Sequence, residues 1–325
     1  MTRKKLDAGI MTSLVLLVAI LVFFTIRTKG NMISVFNLTT IMDQALIVII
    51  AGLGSIFVVS LGGADLSVGT TLGISTVVGA ALADATGNEV VLFPVAITVA
   101  LTIGFSNGFL VAKLKVPSFM VTLAHLIGMR GVMLYVQSVS SGFYRAQSLL
   151  LTLKNDAFKI PILIILIIVM HFILSHTKFG TYCKAIGENE SVALNVGVPV
   201  AKVKIIAFML SSFMASVAGF FMMAKVGGTN NTMGINLEID VLMGIFLGGV
   251  LVTGGYSASV VKLLIGSFTI SVIKNGMVLA KWSAIEITEV TQGVLLILIL
   301  FVMILLKQRS GATARPDTLP KDPTV

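Results

Sequence analysis

The chain has 325 residues, of which 56% are hydrophobic and 11% charged, with a mean hydropathy of +1.04. So few charges cannot cover a water-soluble protein of this size, which excludes a soluble enzyme, a disordered chain and a nucleic-acid-binding domain. The net charge of +9 then reads as positive charge retained on the cytoplasmic side of a membrane.

A membrane-crossing helix needs about 20 mainly apolar residues. The first such stretch runs from about Ala8 to Ile26, behind the basic start Arg3-Lys4-Lys5. No small-residue cleavage pattern follows it, so it reads as an uncleaved anchor. Further spans are expected near 40–61, 66–85, 90–112, 117–137, 158–176, 203–226, 238–253, 258–280 and 287–306, ten in all. The third is glycine-rich and the eighth short, so both are expected to be broken or re-entrant.

The loop charges set the orientation. With a cytoplasmic N-terminus, the inside receives Arg3, Lys4, Lys5, Lys113, Lys115, Lys178, Lys184, Lys202, Lys204, Lys262, Lys307, Arg309, Arg315 and Lys321. The outside receives Arg27, Lys29, Arg145, Lys154, Lys159, Lys225 and Lys281, half as many, while Arg130 and Lys274 lie within spans. That asymmetry follows the positive-inside rule and places both termini inside. The chain reads as one all-α polytopic membrane domain, 1–307, with a long cytoplasmic loop at 177–204. The polar tail 308–325, with Pro316, Pro320 and Pro323, reads as disordered.

Small residues recur at four-residue spacing, as at Gly69 and Gly73, Ser211, Ala215 and Gly219, and Gly244 and Gly248. They let helix backbones approach closely where lipid supplies no hydrophobic drive. Residues 107–113 and 275–281 both read N-G-x-x-x-A-K, five spans apart, as two inverted pseudo-repeated halves would. Glycine-interrupted stretches at 62–69 and 248–255 are read as the corresponding breaks, the pointer to a transport site.

Ionisable groups inside spans are functional candidates because each costs about 2.5–3.5 kcal/mol to insert. Asp65 sits in the first glycine break, Asp43 and Gln44 early in span two, Arg130 in span five, and Glu238 and Asp240 at the start of span eight. They could line a polar pathway for a hydroxylated solute. Asp65 could instead cap the next helix, and Arg130 could pair with an acid between helices. His171 and His176 read as interfacial. The lone Cys183 excludes an internal disulfide, and the three scattered histidines make no metal site. In the loop 177–204, Gly187 and Gly197 bracket a short helical piece with Glu188 and Glu190 at its start, a suitable docking element for another protein.

These stretches resemble the membrane permease subunits of bacterial ABC sugar importers, of the ribose, xylose, galactose and autoinducer-2 kind. Residues 62–69, G-G-A-D-L-S-V-G, are similar to that family's G-G-I-D-L-S-V-G. Lys115 to Leu123, followed by Met129-Arg130-Gly131, resembles K-x-P-x-F-I-x-T-L…x-R-G, and 177–198 resembles T-x-x-G…A-I-G-G-N-E-x-A-A…G-I. Glu188 replaces the second glycine of that last motif, and 238–257 follows the family pattern only loosely. The resemblance implies an inner-membrane subunit that forms a pathway with a second, identical or different, permease chain. A binding protein delivers the solute, and two cytoplasmic ATPase chains consume the ATP. It implies coupling roles for Gly187, Asn189, Glu190 and Gly197, and Glu188 and Ala193 in the same loop are taken as coupling candidates beside them. It implies pathway or scaffold roles for Asp65, Phe119 and Arg130; Gln44, Asn107, Thr122 and Asp240 are taken as further pathway candidates, and no cofactor or metal is expected on this chain. The sequence has no G-x-x-x-x-G-K-[ST] loop to hold nucleotide phosphates. Nucleosides and branched-chain amino acids stand as alternative cargo, and an ion-coupled secondary transporter as an alternative mechanism.

Overall fold

Long apolar stretches in lipid satisfy their backbone groups by forming helices. The computed structural model describes residues 8–139, 144 and 148–282, with positions 290, 291, 293, 294, 297 and 301. In chain order its helices are α1 (Ala8–Arg27), α2 (Val35–Ser60), α3 (Val68–Thr86), α4 (Leu92–Lys113), α5 (Ser118–Ser138), the single turn α6 (Ser148–Leu151), α7 (Asp156–His176), α8 (Lys178–Glu188), α9 (Glu190–Asn195), α10 (Val200–Val226), α11 (Leu237–Leu247) and α12 (Val260–Leu279). Among the described residues eight helices are long and apolar enough to cross a membrane: α1, α2, α3, α4, α5, α7, α10 and α12. The span expected at 287–306 lies largely, and the tail 308–325 wholly, outside the described residues.

Local chemistry fixes the ends. The Ser34 hydroxyl accepts from Asn37 N–H to open α2, and Asn155 Oδ1 accepts from Ala157 N–H to open α7. Gly87 and Gly227 adopt left-handed backbone to close α3 and α10. His171 and His176 lie in the last turns of α7.

α2 and α10 form the centre and pack on each other. α4 packs against α10, and α12 against α2; α3 packs on α4, and α11 on α12. The register that sets Asn107 on Asn275 therefore sets α2 on α10, α3 on α11 and α4 on α12, so the two halves repeat with exchanged partners. The glycines sit at these seams. Gly54 of α2 faces the Leu210 carbonyl and Ser211 of α10, and Gly104 of α4 faces Phe208 and Met209. α1, α5 and α7 lie outside, with Phe23, Ile127, Ile165 and Phe172 exposed as lipid-facing side chains should be.

Two expectations change, and one holds. The third span is unbroken: α3 is a full 19-residue helix. Its Gly69, Gly73 and Gly79 do not interrupt it; they lie against Gly234, Met133 and Leu92. The break matching 61–67 is 227–236, ahead of α11. The stretch 248–255 follows α11, so it has no counterpart ahead of α3. The eighth span is short as expected, since α11 has only 11 residues and 248–259 continues without helix apart from one 3-10 turn at Gly255–Ser257.

Candidate functional site

The starts of α3 and α11 meet inside the bundle. Gly69 packs directly on Gly234 and on the Glu238 carboxylate, leaving no room for a Cβ. Arg130, midway along α5, reaches the same place: its Nη1 donates to the Met233 carbonyl at 2.8 Å. No acid lies within ion-pair distance of Arg130 among the described residues, so it pins a backbone turn and does not pair with an acid between helices. Glu238 is buried, and its Oε2 has no hydrogen-bond partner among the described residues.

Beside this seam lies a polar knot. Asp65 Oδ1 accepts from the backbone N–H and the hydroxyl of Ser67, at 3.0 and 2.6 Å, and Oδ2 accepts from Ser211 Oγ on α10 at 2.7 Å. Asn107 Nδ2 of α4 donates to Ser67 Oγ at 2.9 Å. Asp65 thus ties the α2–α3 break to α4 and α10; it does not reach into the first turn of α3 as a cap, and Ser67 holds that position. Asn275 repeats Asn107 in burial, and each has a buried Oδ1 without a hydrogen-bond partner among the described residues. Thr122 is buried, with its hydroxyl on the Ser118 carbonyl at 2.9 Å, whereas Phe119, one turn earlier, is exposed.

Gln44 is half-buried and Asp240 buried. They line a cavity of about 230 Å³ between α2, α10, α11 and α12, together with Lys225, Ser271 and Lys274. Lys274 Nζ donates to Asp240 Oδ2 at 2.6 Å. The neighbouring Asp43 accepts from Lys159 Nζ at 2.6 Å, and Lys159 also bonds Asp156.

At the opposite face, the loop 177–204 folds into two helices where its sequence suggests one piece. The Thr177 hydroxyl accepts from Gly180 N–H to open α8, and Asn189 Oδ1 accepts from Val192 N–H at 3.0 Å to open α9. Gly187 lies on the Ser60 carbonyl at the end of α2 and on Gly255, with no space for a side chain. Glu188, the departure from the family motif, accepts from Tyr256 N–H at 2.9 Å and covers Gly255. Glu190 bonds Lys204 of α10 at 2.7 Å and approaches Lys115 of the α4–α5 loop at 3.5 Å. The Lys204 hydrogen bond, and then the two ammonium charges, hold the Glu190 carboxyl below its usual range. Gly197 has left-handed backbone with open space around it, as a turn between α9 and α10 requires. Ala193 is buried against its own chain, and the outward apolar groups are Val192, Leu194 and Val196. Sequence reasoning misses these three, because only the fold shows which side of α9 is covered. Cys183 is buried in α8, where desolvation pushes its thiol up to about 12.

The match to the family model described as "Branched-chain amino acid transport system / permease component" spans residues 37–303. The ribose import permease protein RbsC of Escherichia coli (strain K12) is 31% identical over 271 residues, covering 80% of this chain and 84% of that protein. The autoinducer 2 import system permease protein LsrC of Photorhabdus luminescens is 30% identical, covering 82% of each. The fructose import permease protein FrcC of Rhizobium meliloti is 27% identical, covering 81% of this chain and 77% of that protein. No solved structure matches the chain. The all-α polytopic bundle, its paired halves and a family match across most of its length agree: the chain belongs to the branched-chain amino acid transport system permease-component family.

Proposed function

We propose that this chain is the pathway-forming subunit of an ATP-driven importer for a monosaccharide or a related hydroxylated solute. The observation that carries this reading is the α8–α9 element. It presents exposed Val192, Leu194 and Val196 at one face of the bundle. It is bolted through Gly187 and Glu188 to the end of α2 and to the stretch that continues α11. A motor protein pressing on α9 would therefore move the end of one half and the broken helix of the other together. That face is cytoplasmic in this reading, as are both termini, and the membrane is the bacterial inner membrane. ATP is bound and hydrolysed by separate ATPase chains. A binding protein delivers the solute on the opposite face, and a second permease subunit completes the pathway. Gln44 and Asp240 offer the solute weak hydroxyl-compatible contacts. Phe119 sits at the inner mouth, and Asp65, Asn107, Thr122 and Arg130 hold the wall behind them. Ribose, xylose and fructose are the first cargo to test, since similar permeases carry those names.

The test is uptake in proteoliposomes holding this chain with the ATPase and binding protein co-purified from its source. Labelled pentose or hexose should accumulate only with internal ATP. Leu194→Asp should abolish uptake and ATPase retention while the chain still inserts. Accumulation driven by an ion gradient without any ATPase would overturn the reading, as would full transport by Leu194→Asp.

A further inference from the structure

The chain at the start of α11 lies along a glycine stripe of α3. Gly69 carries the Gly234 carbonyl and the Glu238 carboxylate, and Gly73, one turn further along α3, faces the Met233 carbonyl. That carbonyl is the one that Arg130 Nη1 holds at 2.8 Å. The Glu238 and Arg130 positions are therefore one helical turn apart on the stripe, roughly 6 Å by rise. Glu238 is more than nine-tenths buried, and its Oε2 has no hydrogen-bond partner among the described residues. Arg130 is half-buried, and Glu238 is the acid whose field it feels. The two other acids near Glu238 are occupied, Asp65 by Ser67 and Ser211 and Asp240 by Lys274. A buried carboxylate gains most from a guanidinium, which can bond both of its oxygens.

The fold leaves α11 a way to reach that partner. Gly69 and Gly73 present no Cβ to a passing helix. α11 and α12 are locked together, with Gly266 on the Gly244 carbonyl, Gly248 on the Lys262 carbonyl, and Asp240 bonded to Lys274, so they would move as one body. We propose that α11 steps by one turn along α3 during transport, carrying Glu238 from Gly69 to Arg130, and that the Glu238–Arg130 ion pair holds the second arrangement. Arg130 then exchanges the Met233 carbonyl for a carboxylate, a one-turn ratchet with two discrete stops. The inference rests on the importer reading for the force that drives the step, which reaches the stretch after α11 through Glu188 and Gly255.

The experiment uses the full chain in nanodiscs, alone and with the co-purified ATPase and binding protein. Alone, Glu238→Gln should melt no lower than the parent, because Oε2 loses no partner. With the partners present, vanadate trapping of magnesium nucleotide counts the complexes in the second arrangement. Glu238→Gln and Arg130→Gln should each reduce trapping about tenfold, and the double variant should trap no less than the weaker single variant. Arg130→Lys keeps the cation and should keep most of the trapping. In that background Glu238→Gln should again cost about tenfold, which keeps the test readable if Arg130→Gln does not fold. A packing role alone would instead lower the melting of Glu238→Gln and multiply the two losses to about a hundredfold. The inference is overturned by that pattern, or if Glu238→Gln traps like the parent. A parent that traps normally in those cases leaves the importer reading standing; a parent that traps no nucleotide sinks that reading and the step with it.

Discussion

Gly187→Ala isolates the contact that joins α8 to the rest of the bundle. Gly187 is helical with ordinary backbone angles, so alanine there would gain about 1 kcal/mol of helix propensity if space allowed. Space does not allow it. A Cβ would overlap the Ser60 carbonyl oxygen and stand 2.7 Å from Gly255 N, both rigid backbone atoms. A methyl forced into such a seam costs about 1–3 kcal/mol, because the helices must part. Gly128 of α5 supplies the control, since a Cβ added there would meet nothing within 4 Å. Gly128→Ala should therefore be neutral or slightly stabilising. Detergent unfolding curves read the two signs directly. In reconstituted vesicles Gly187→Ala should also lose uptake per ATP hydrolysed, because the parted seam no longer moves α2 with α8. If Gly187→Ala melts and transports like the parent, the seam bears no force and the mechanical argument fails.

Asp65→Ala should destabilise the bundle by about 1–3 kcal/mol for each buried donor left unpaired, seen in the same unfolding assay, with Asp65→Asn milder because it still accepts. Glu190 titrates below the ordinary glutamate range, so the stability from its Lys204 bond is present at neutral pH and lost as pH falls through the depressed value. Protease accessibility of 177–204 should thus rise only in acid, and Glu190→Gln should show higher accessibility with no acid step. Cys183, buried with its thiol near 12, should resist maleimide at pH 8 in the folded protein and react on denaturation; rapid labelling of native protein would contradict its burial.

Hydropathy makes the spans legible because lipid imposes length and apolarity on each one. The glycines of α3 suggest a break because glycine counts as a breaker in isolation, while here Gly69 and Gly73 meet Gly234 and Met133 across a seam. The N-G-x-x-x-A-K echo reveals the repeat, since Asn107 and Asn275 occupy matched positions, but the matching break needs the fold. Gln44 and Asp240 stand out as polar groups in apolar spans. The Glu188–Tyr256 and Glu190–Lys204 contacts follow no helical period, so no spacing announces them. Ala193 and Leu194 are adjacent, and only packing decides which faces a partner.

α11 also constrains how the protein is made. Its 11 residues rise about 16 Å, roughly half the hydrocarbon thickness. The stretch after it leaves peptide groups that lipid cannot satisfy. Such a segment cannot leave the insertion machinery alone. Entry beside α10 together with α12, as one hairpin, would let the bundle cover those groups.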